Sequence, residues 1–215
     1  MAINFNGGTD RASYGSAGWG YAQGCISFLF RTSQVTANVG VASVWTGSSR
    51  NGFGILLNNT ANKISAHGYA GFSPEKIVLV SATSVNDGNW HHLAYNWNTD
   101  NAGANALYID GVSEASGNSS AAWPIANTGV PFTIGDNNDT FWASFVGDIA
   151  EMATFGRNLV ADEIASLQKG FSPAMLPGFN LHIPFVRDFN NRRDAFATLT
   201  GTTYVDHPRR VGGNV

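Results

Sequence analysis

Asn86-Asp87-Gly88-Asn89-Trp90-His91-His92-Leu93-Ala94-Tyr95, followed by Leu107-Tyr108-Ile109-Asp110-Gly111-Val112, is the stretch whose reading decides the fold. Asp87-Gly88 reads as a turn, because Asp bonds its own backbone and Gly accepts positive φ. From Trp90 onward bulky and polar side chains alternate, as on a strand. Asp110-Gly111 sits between two short apolar runs, the strongest short-range hairpin signal. The pattern predicts two strands joined through a tight turn, with Trp90 in the core and Asp110 and Gly111 shaping the turn.

Outward from this stretch, similar runs recur. Strands are predicted at Ile3–Asn6, Gly24–Arg31, Gly40–Trp45, Phe53–Asn58, Lys63–Tyr69, Ile77–Ser81, Trp90–Trp97, Ala106–Ile109, Val112–Ser116, Phe132–Ile134 and Val146–Phe155. Gly, Asn, Ser and Thr clusters separate them, which argues for a sandwich or barrel. One helix is predicted over Ala161–Lys169. Ile164 and Leu167 give its apolar face, Asp162 and Glu163 lie in the first turn where the dipole favours acids, and Gly170 closes it.

The turn, the Asp-Gly-x-Trp-His-His string and the later Asp-Gly resemble the laminin-G-like branch of the concanavalin-A-like sandwich. Gly147-Asp148-Ile149-Ala150-Glu151-Met152, Phe155-Gly156-Arg157-Asn158-Leu159 and Ala161-Asp162-Glu163-Ile164 resemble the closing strand and short helix of that family. Two positions depart from it. Val160 stands where the family has a Ser or Thr cap, and Ala150 stands where it has an acid. The resemblance implies an all-β fold: a two-sheet antiparallel jelly-roll sandwich with one short helix in the C-terminal third. It covers residues 1–170. Residues 171–215 read as an extended C-terminal tail that packs on the sandwich or on a partner. The tail carries four of the seven prolines and ends in Leu199-Thr200-Gly201-Thr202 and His207-Pro208-Arg209. It resembles the ends of laminin-G-like proteins of bacteriophage structural regions.

Composition narrows the function classes. The 215 residues are 43% hydrophobic and only 13% charged, against roughly 25% charged in an average soluble domain. Twenty-five glycines and 14 phenylalanines suit short strands and tight turns. The net charge of −3 carries no basic patch beyond Arg192-Arg193 and Arg209-Arg210, which argues against nucleic acid. Cys25 is the single cysteine, so an intramolecular disulfide is excluded. No apolar run reaches the roughly 18 residues of a membrane span. The N-terminus enters a strand without a signal-peptide pattern, so synthesis in a host cytoplasm is expected.

Glycoside hydrolases of this fold carry an acid-x-acid-x-x-acid string; this chain has only Asp148 and Glu151, three apart and on opposite faces of an ideal strand. His91 and His92 are adjacent, so a strand sends them to opposite faces and they cannot share a zinc ion. Asp136, Asn137, Asn138 and Asp139 form a loop of hard oxygen donors, the place where calcium would bind; an Asx-rich turn explains the same residues without an ion. Trp123 and Trp142 lie in loop-like surroundings and are the expected ligand-binding aromatics.

No catalytic residues and no required cofactor are expected. Three functions compete. The first is a non-catalytic structural protein on a bacteriophage virion surface, in capsid decoration or at the tail, partnering other virion proteins or itself. The second is a carbohydrate-binding module, and the third a glycoside hydrolase. The fold does not choose among them.

Overall fold

The computed structural model describes residues 2–15, 21–46, 49–71, 74–100, 104–125, 131–136, 141–183 and 198–205. In chain order the strands are β1 (Ala2–Asn6), β2 (Arg11–Tyr14), β3 (Gln23–Arg31), β4 (Val39–Thr46), β5 (Ser49–Leu57), β6 (Ile64–Ala70), β7 (Ile77–Val80), β8 (Trp90–Asn98), β9 (Ala104–Ile109), β10 (Val112–Asn118), β11 (Phe132–Ile134), β12 (Ala143–Ser144) and β13 (Val146–Phe155). Helix α1 (Ala161–Gln168) and a 3-10 turn at Pro173–Met175 follow, then β14 (Phe179–Ile183), β15 (Thr198–Thr200) and β16 (Thr203–Val205).

The strands form two sheets. The first runs β10-β9-β8-β3-β13-β1-β16, with β14 beside the later half of β13. The second runs β15-β2-β11-β4-β5-β6-β7, with β12 against β4. Pairing is antiparallel except between β12 and β4. This is the jelly-roll sandwich expected from the strand pattern.

Alternation along each strand builds the core. Phe28, Phe30, Leu93, Tyr95 and Trp97 of the first sheet face Phe53, Ile55, Phe132 and Ile134 of the second. The rings of Phe53 and Trp97 stack with centroids 5.0 Å apart. Burying each such side chain contributes roughly 1.5–3 kcal/mol. The first sheet also has an apolar outer face. Cys25, Ala94, Ala153 and Phe155 lie there beneath Leu159, Ile164 and Leu167. Burial pushes the Cys25 thiol far above its ordinary range.

Helix α1 begins without a capping hydroxyl, since Val160 has none to offer. Glu163 compensates: its Oε2 accepts the Val160 backbone N–H at 3.0 Å. The Arg157 guanidinium holds that carboxylate in place, with Nη1 at 2.8 Å from Oε2 and Nη2 at 2.6 Å from Oε1. One half of a capping box therefore survives, braced by an arginine.

After Gly170 the chain returns to both sheets. Strand β14 pairs with β13, β15 with β2, and β16 with β1. Gly201 makes the corner between β15 and β16 at a φ of +73°, and a Cβ there would collide with the Asp10 carboxylate. That carboxylate is fixed by the Asn6 N–H at 2.8 Å. The corner thus locks onto the turn between β1 and β2 and covers an edge of each sheet. Unpaired edges invite wrong pairing.

Candidate functional site

The diagnostic stretch folds around one carboxylate. Asp110 and Gly111 have φ values of +51° and +80°, which match a two-residue hairpin turn. Asp110 Oδ1 accepts the His92 backbone N–H at 2.8 Å, and Oδ2 lies 2.8 Å from His91 Nδ1. The other ring nitrogen, His91 Nε2, lies 3.2 Å from Asp87 Oδ1. Carboxylates only accept, so this pair of contacts favours the ring with both nitrogens protonated. The Asp110 hydrogen bond, more than any other influence, holds the His91 pKa above its ordinary value. Asp87 is itself set by the Asn89 N–H, which lowers its pKa to about 2.

His92 faces the other way, as adjacent strand residues must. Its Nε2 meets Ser27 Oγ at 2.8 Å. Burial drives its pKa down to about 4, so the ring is neutral. The pKa values of two neighbouring histidines are therefore shifted in opposite directions. Both Ser27 and His92 are 2% exposed. A serine–histidine contact sealed from solvent serves packing rather than nucleophilic attack.

The two acids weighed for hydrolysis lie differently from the ideal-strand expectation. A bulge interrupts β13 between Ala150 and Ala153, and Glu151 sits in it at a φ of +51°. The extra residue changes the alternation. Glu151 consequently reaches the outer face, the same face as Asp148. Each acid has its own base there. Glu151 Oε2 lies 2.9 Å from His182 Nε2. Asp148 Oδ2 accepts Arg31 Nε at 2.8 Å and Nη2 at 2.6 Å, and Oδ1 accepts the Asn4 amide at 2.8 Å.

The tryptophans exchange the roles expected of them. Trp123 is 1% exposed. Its Nε1 donates to Ser119 Oγ at 2.9 Å, and its indole lies against Gly68, where a Cβ would come within 2.7 Å of the ring. Trp142 is 7% exposed and packs with Leu56 and Tyr69. Neither presents an open ring. Trp90, expected in the core, is half-buried instead. The inward positions of β8 are Leu93, Tyr95 and Trp97, so Trp90 has the opposite parity and faces outward. The Arg31 guanidinium lies over it, 5.1 Å from the ring centroid.

Of the candidate calcium loop, Asp136 is paired with Arg11 at 3.8 Å. Asn137, Asn138 and Asp139 lie outside the described residues. Among the described residues no group of three or more His, Cys, Asp or Glu side chains is arranged to hold a metal. The one described donor of the loop already faces a cation, which does not favour an ion beside it.

Residues unmarked in the sequence complete the outer face. Cross-strand register places Trp90 beside Arg31, Arg31 beside Asp148, Asp148 beside Asn4 and Asn4 beside Thr203. Arg31 and Asn4 carry no motif of their own. Only the register identifies them.

The profile of the concanavalin A-like lectin/glucanase superfamily (Laminin_G_3) matches residues 6–165. The chain is 30% identical over 118 residues to the mouse (Mus musculus) neuronal pentraxin receptor, an alignment covering 49% of this chain and 24% of the receptor. It spans a quarter or less of the length of the first curated relatives it matches. Among solved structures it is similar to the heptameric SAP-like pentraxin of Limulus polyphemus, with a TM-score of 0.65 and 11% identity over 93% of this chain and 95% of that one. It is also similar to the CBM40 module of a Ruminococcus gnavus sialidase bound to α2,3-sialyllactose, with a TM-score of 0.62 and 18% identity over 78% of this chain and 96% of that one.

Proposed function

We propose, since the chain belongs to the concanavalin A-like lectin/glucanase superfamily, that it is a non-catalytic interaction module of a bacteriophage-like particle surface, in capsid decoration or at the tail. Its partners there are other particle proteins or further copies of itself, and a glycan is the ligand its lectin-like sandwich suits.

The observation that carries the non-catalytic reading is the state of the acids. Glycoside hydrolysis needs two carboxylates flanking one bond, one free to give a proton and one free to attack or activate water. Asp148 is held by Arg31 and Asn4, Glu151 by His182, and Asp110 by His91 and the His92 N–H. Each is spent on the fold. The glycan reading is supported by likeness to a sugar-bound module. The particle reading is supported only by the resemblance read in the sequence of the tail, at Leu199-Thr200-Gly201-Thr202 and His207-Pro208-Arg209. Weak or absent calcium dependence at Asp136 to Asp139 belongs to the same proposal and is tested below.

The test pairs two assays on the full chain. Soluble β-glucans, galactans and host surface polysaccharides should release no reducing sugar, while an immobilised glycan panel should retain the protein. Turnover that disappears in Glu151→Gln would make the protein a hydrolase.

A further inference from the structure

Trp90 is half-buried and meets solvent, whereas Trp97, Trp123 and Trp142 are all buried. It stands at the end of the row Trp90, Arg31, Asp148, Asn4 and Thr203, one residue from each of five adjacent strands. Three features set this row apart. It is preorganised: Asp148 fixes Arg31 through Nε and Nη2, Asn4 fixes Asp148, and Arg31 lies against the indole. It is open at both ends: the Arg31 side chain is 39% exposed and Thr203 is exposed, while Asn4 is half-buried and Asp148 is buried beneath its partners. It is charge-compensated, because the one cation and the one anion pair with each other.

The register also leaves one flank of Trp90 clear. His92 is the β8 residue opposite Asp110, since their backbones bond at 2.8 Å. Trp90 therefore lies two residues beyond the turn that ends β9, and no strand residue of β9 stands beside it.

We propose that this row is a glycan-binding site that takes a neutral, linear oligosaccharide lying across the strands. The inference rests on the glycan reading above and adds its place and ligand class. The apolar face of a pyranose stacks on an indole, as aromatic recognition of amphipathic rings requires. Arg31 Nη1, which has no partner among the described residues, donates to a ring hydroxyl, and the Thr203 hydroxyl bonds a further unit. Neighbouring strands are about 4.8 Å apart, close to the length of one pyranose, so a linear oligosaccharide can reach from Trp90 and Arg31 to Thr203 over the buried Asp148. A neutral sugar fits because the Arg31 charge is already met by Asp148. Fixed rotamers mean that little side-chain entropy is lost on binding.

The test is isothermal titration of the full chain with cellohexaose, chitohexaose and mannohexaose, on the wild type, Trp90→Leu and Thr203→Ala. Thr203 is exposed and outside the braced network, so its variant keeps the fold even if Trp90→Leu does not. Support would be binding of at least one hexamer, weakened about tenfold in Trp90→Leu and a few-fold in Thr203→Ala, with Thr203→Ala melting as the wild type does. Binding that neither variant changes would overturn the site while leaving the glycan reading intact. Binding of none of these hexamers while the immobilised glycan panel retains the protein would overturn the neutral-ligand assignment. Binding to neither the hexamers nor the panel would sink both.

Discussion

Asp110 meets His91 twice over: its carboxylate lies 2.8 Å from the His91 ring, and it takes the next backbone N–H, that of His92, at the same distance. One side chain at the tip of the β9–β10 hairpin thus fixes both the charge state of a buried ring and the start of the neighbouring strand. The turn also packs against the helix, because a Cβ at Gly111 would come within 3.6 Å of Ala165 Cα. The turn is the seat on which α1 rests.

Asp110→Ala should therefore destabilise the fold by ~2–3 kcal/mol, combining an orphaned buried N–H with strain at positive φ. Asp110→Asn should cost less, because Asn tolerates this conformation and its carbonyl can accept the His92 N–H. Urea unfolding of the two variants checks the order. Equal losses would show that the carboxylate geometry is irrelevant.

The two histidines should respond to acid in opposite senses. The folded pKa of His91 is raised by its Asp110 bond, so its stabilisation is complete below about pH 6.5 and is lost as the pH rises through its folded-state value. The folded pKa of His92 is depressed to about 4 by burial. Stability linked to it is intact above about pH 6.5 and falls, by ~3 kcal/mol in all, as the pH drops towards 4. His92→Gln should flatten the decline between pH 6.5 and 4.5. An unchanged slope would mean that His92 is not the group being titrated.

Trp90→Ala should cost about 1 kcal/mol, well short of the ~3–5 kcal/mol typical of an aromatic lost from a core. Trp97→Ala, which removes the ring stacked on Phe53, should show the full core penalty. Thermal or chemical unfolding of the pair is decisive, and a larger loss at Trp90 than at Trp97 would contradict their placement.

Gly201→Ala should destabilise by at least ~1 kcal/mol, from positive φ and from collision with the Asp10 carboxylate. Truncation after Ser172 removes β14, β15 and β16 together and should give an aggregating or unfolded chain, since β1, β2 and β13 lose paired neighbours. A truncated chain that stays folded but no longer associates with particles would instead assign the tail to assembly.

Calcium should raise the melting temperature little or not at all. Binding to the folded state would raise stability by RT ln(1 + [L]/Kd). A marked rise abolished by Asp136→Ala with Asp139→Ala would establish the loop as an ion site.

Much of the fold was legible in the chain because alternation and turn residues are local signals. The eleven strands expected from them all appear, and the helix ends within one residue of its expected close. Five strands escaped: Arg11–Tyr14, Ala143–Ser144, Phe179–Ile183, Thr198–Thr200 and Thr203–Val205, each short or lying in the tail, where local apolar alternation is slight. The site was harder to read. Trp123 reads as a loop residue because Ala121-Ala122-Trp123-Pro124 has no strand alternation, yet Gly68 leaves room for its ring. Trp90 looked internal because it opens a core strand, yet its parity relative to Leu93, Tyr95 and Trp97 marks it as outward. The β13 bulge, which brings Glu151 to His182, and the Trp90–Arg31–Asp148–Asn4 row depend on strand register, which no local stretch encodes.

The central claim is that the protein is a non-catalytic component of a particle surface. The most direct measurement is the protein composition of particles purified on a density gradient from the culture that produces the chain. The expected result is the full-length chain banding with the particles in a fixed ratio to their major shell protein. A chain found only in the soluble fraction, monomeric and absent from the particle band, would contradict that claim and leave a free lectin-like module in its place.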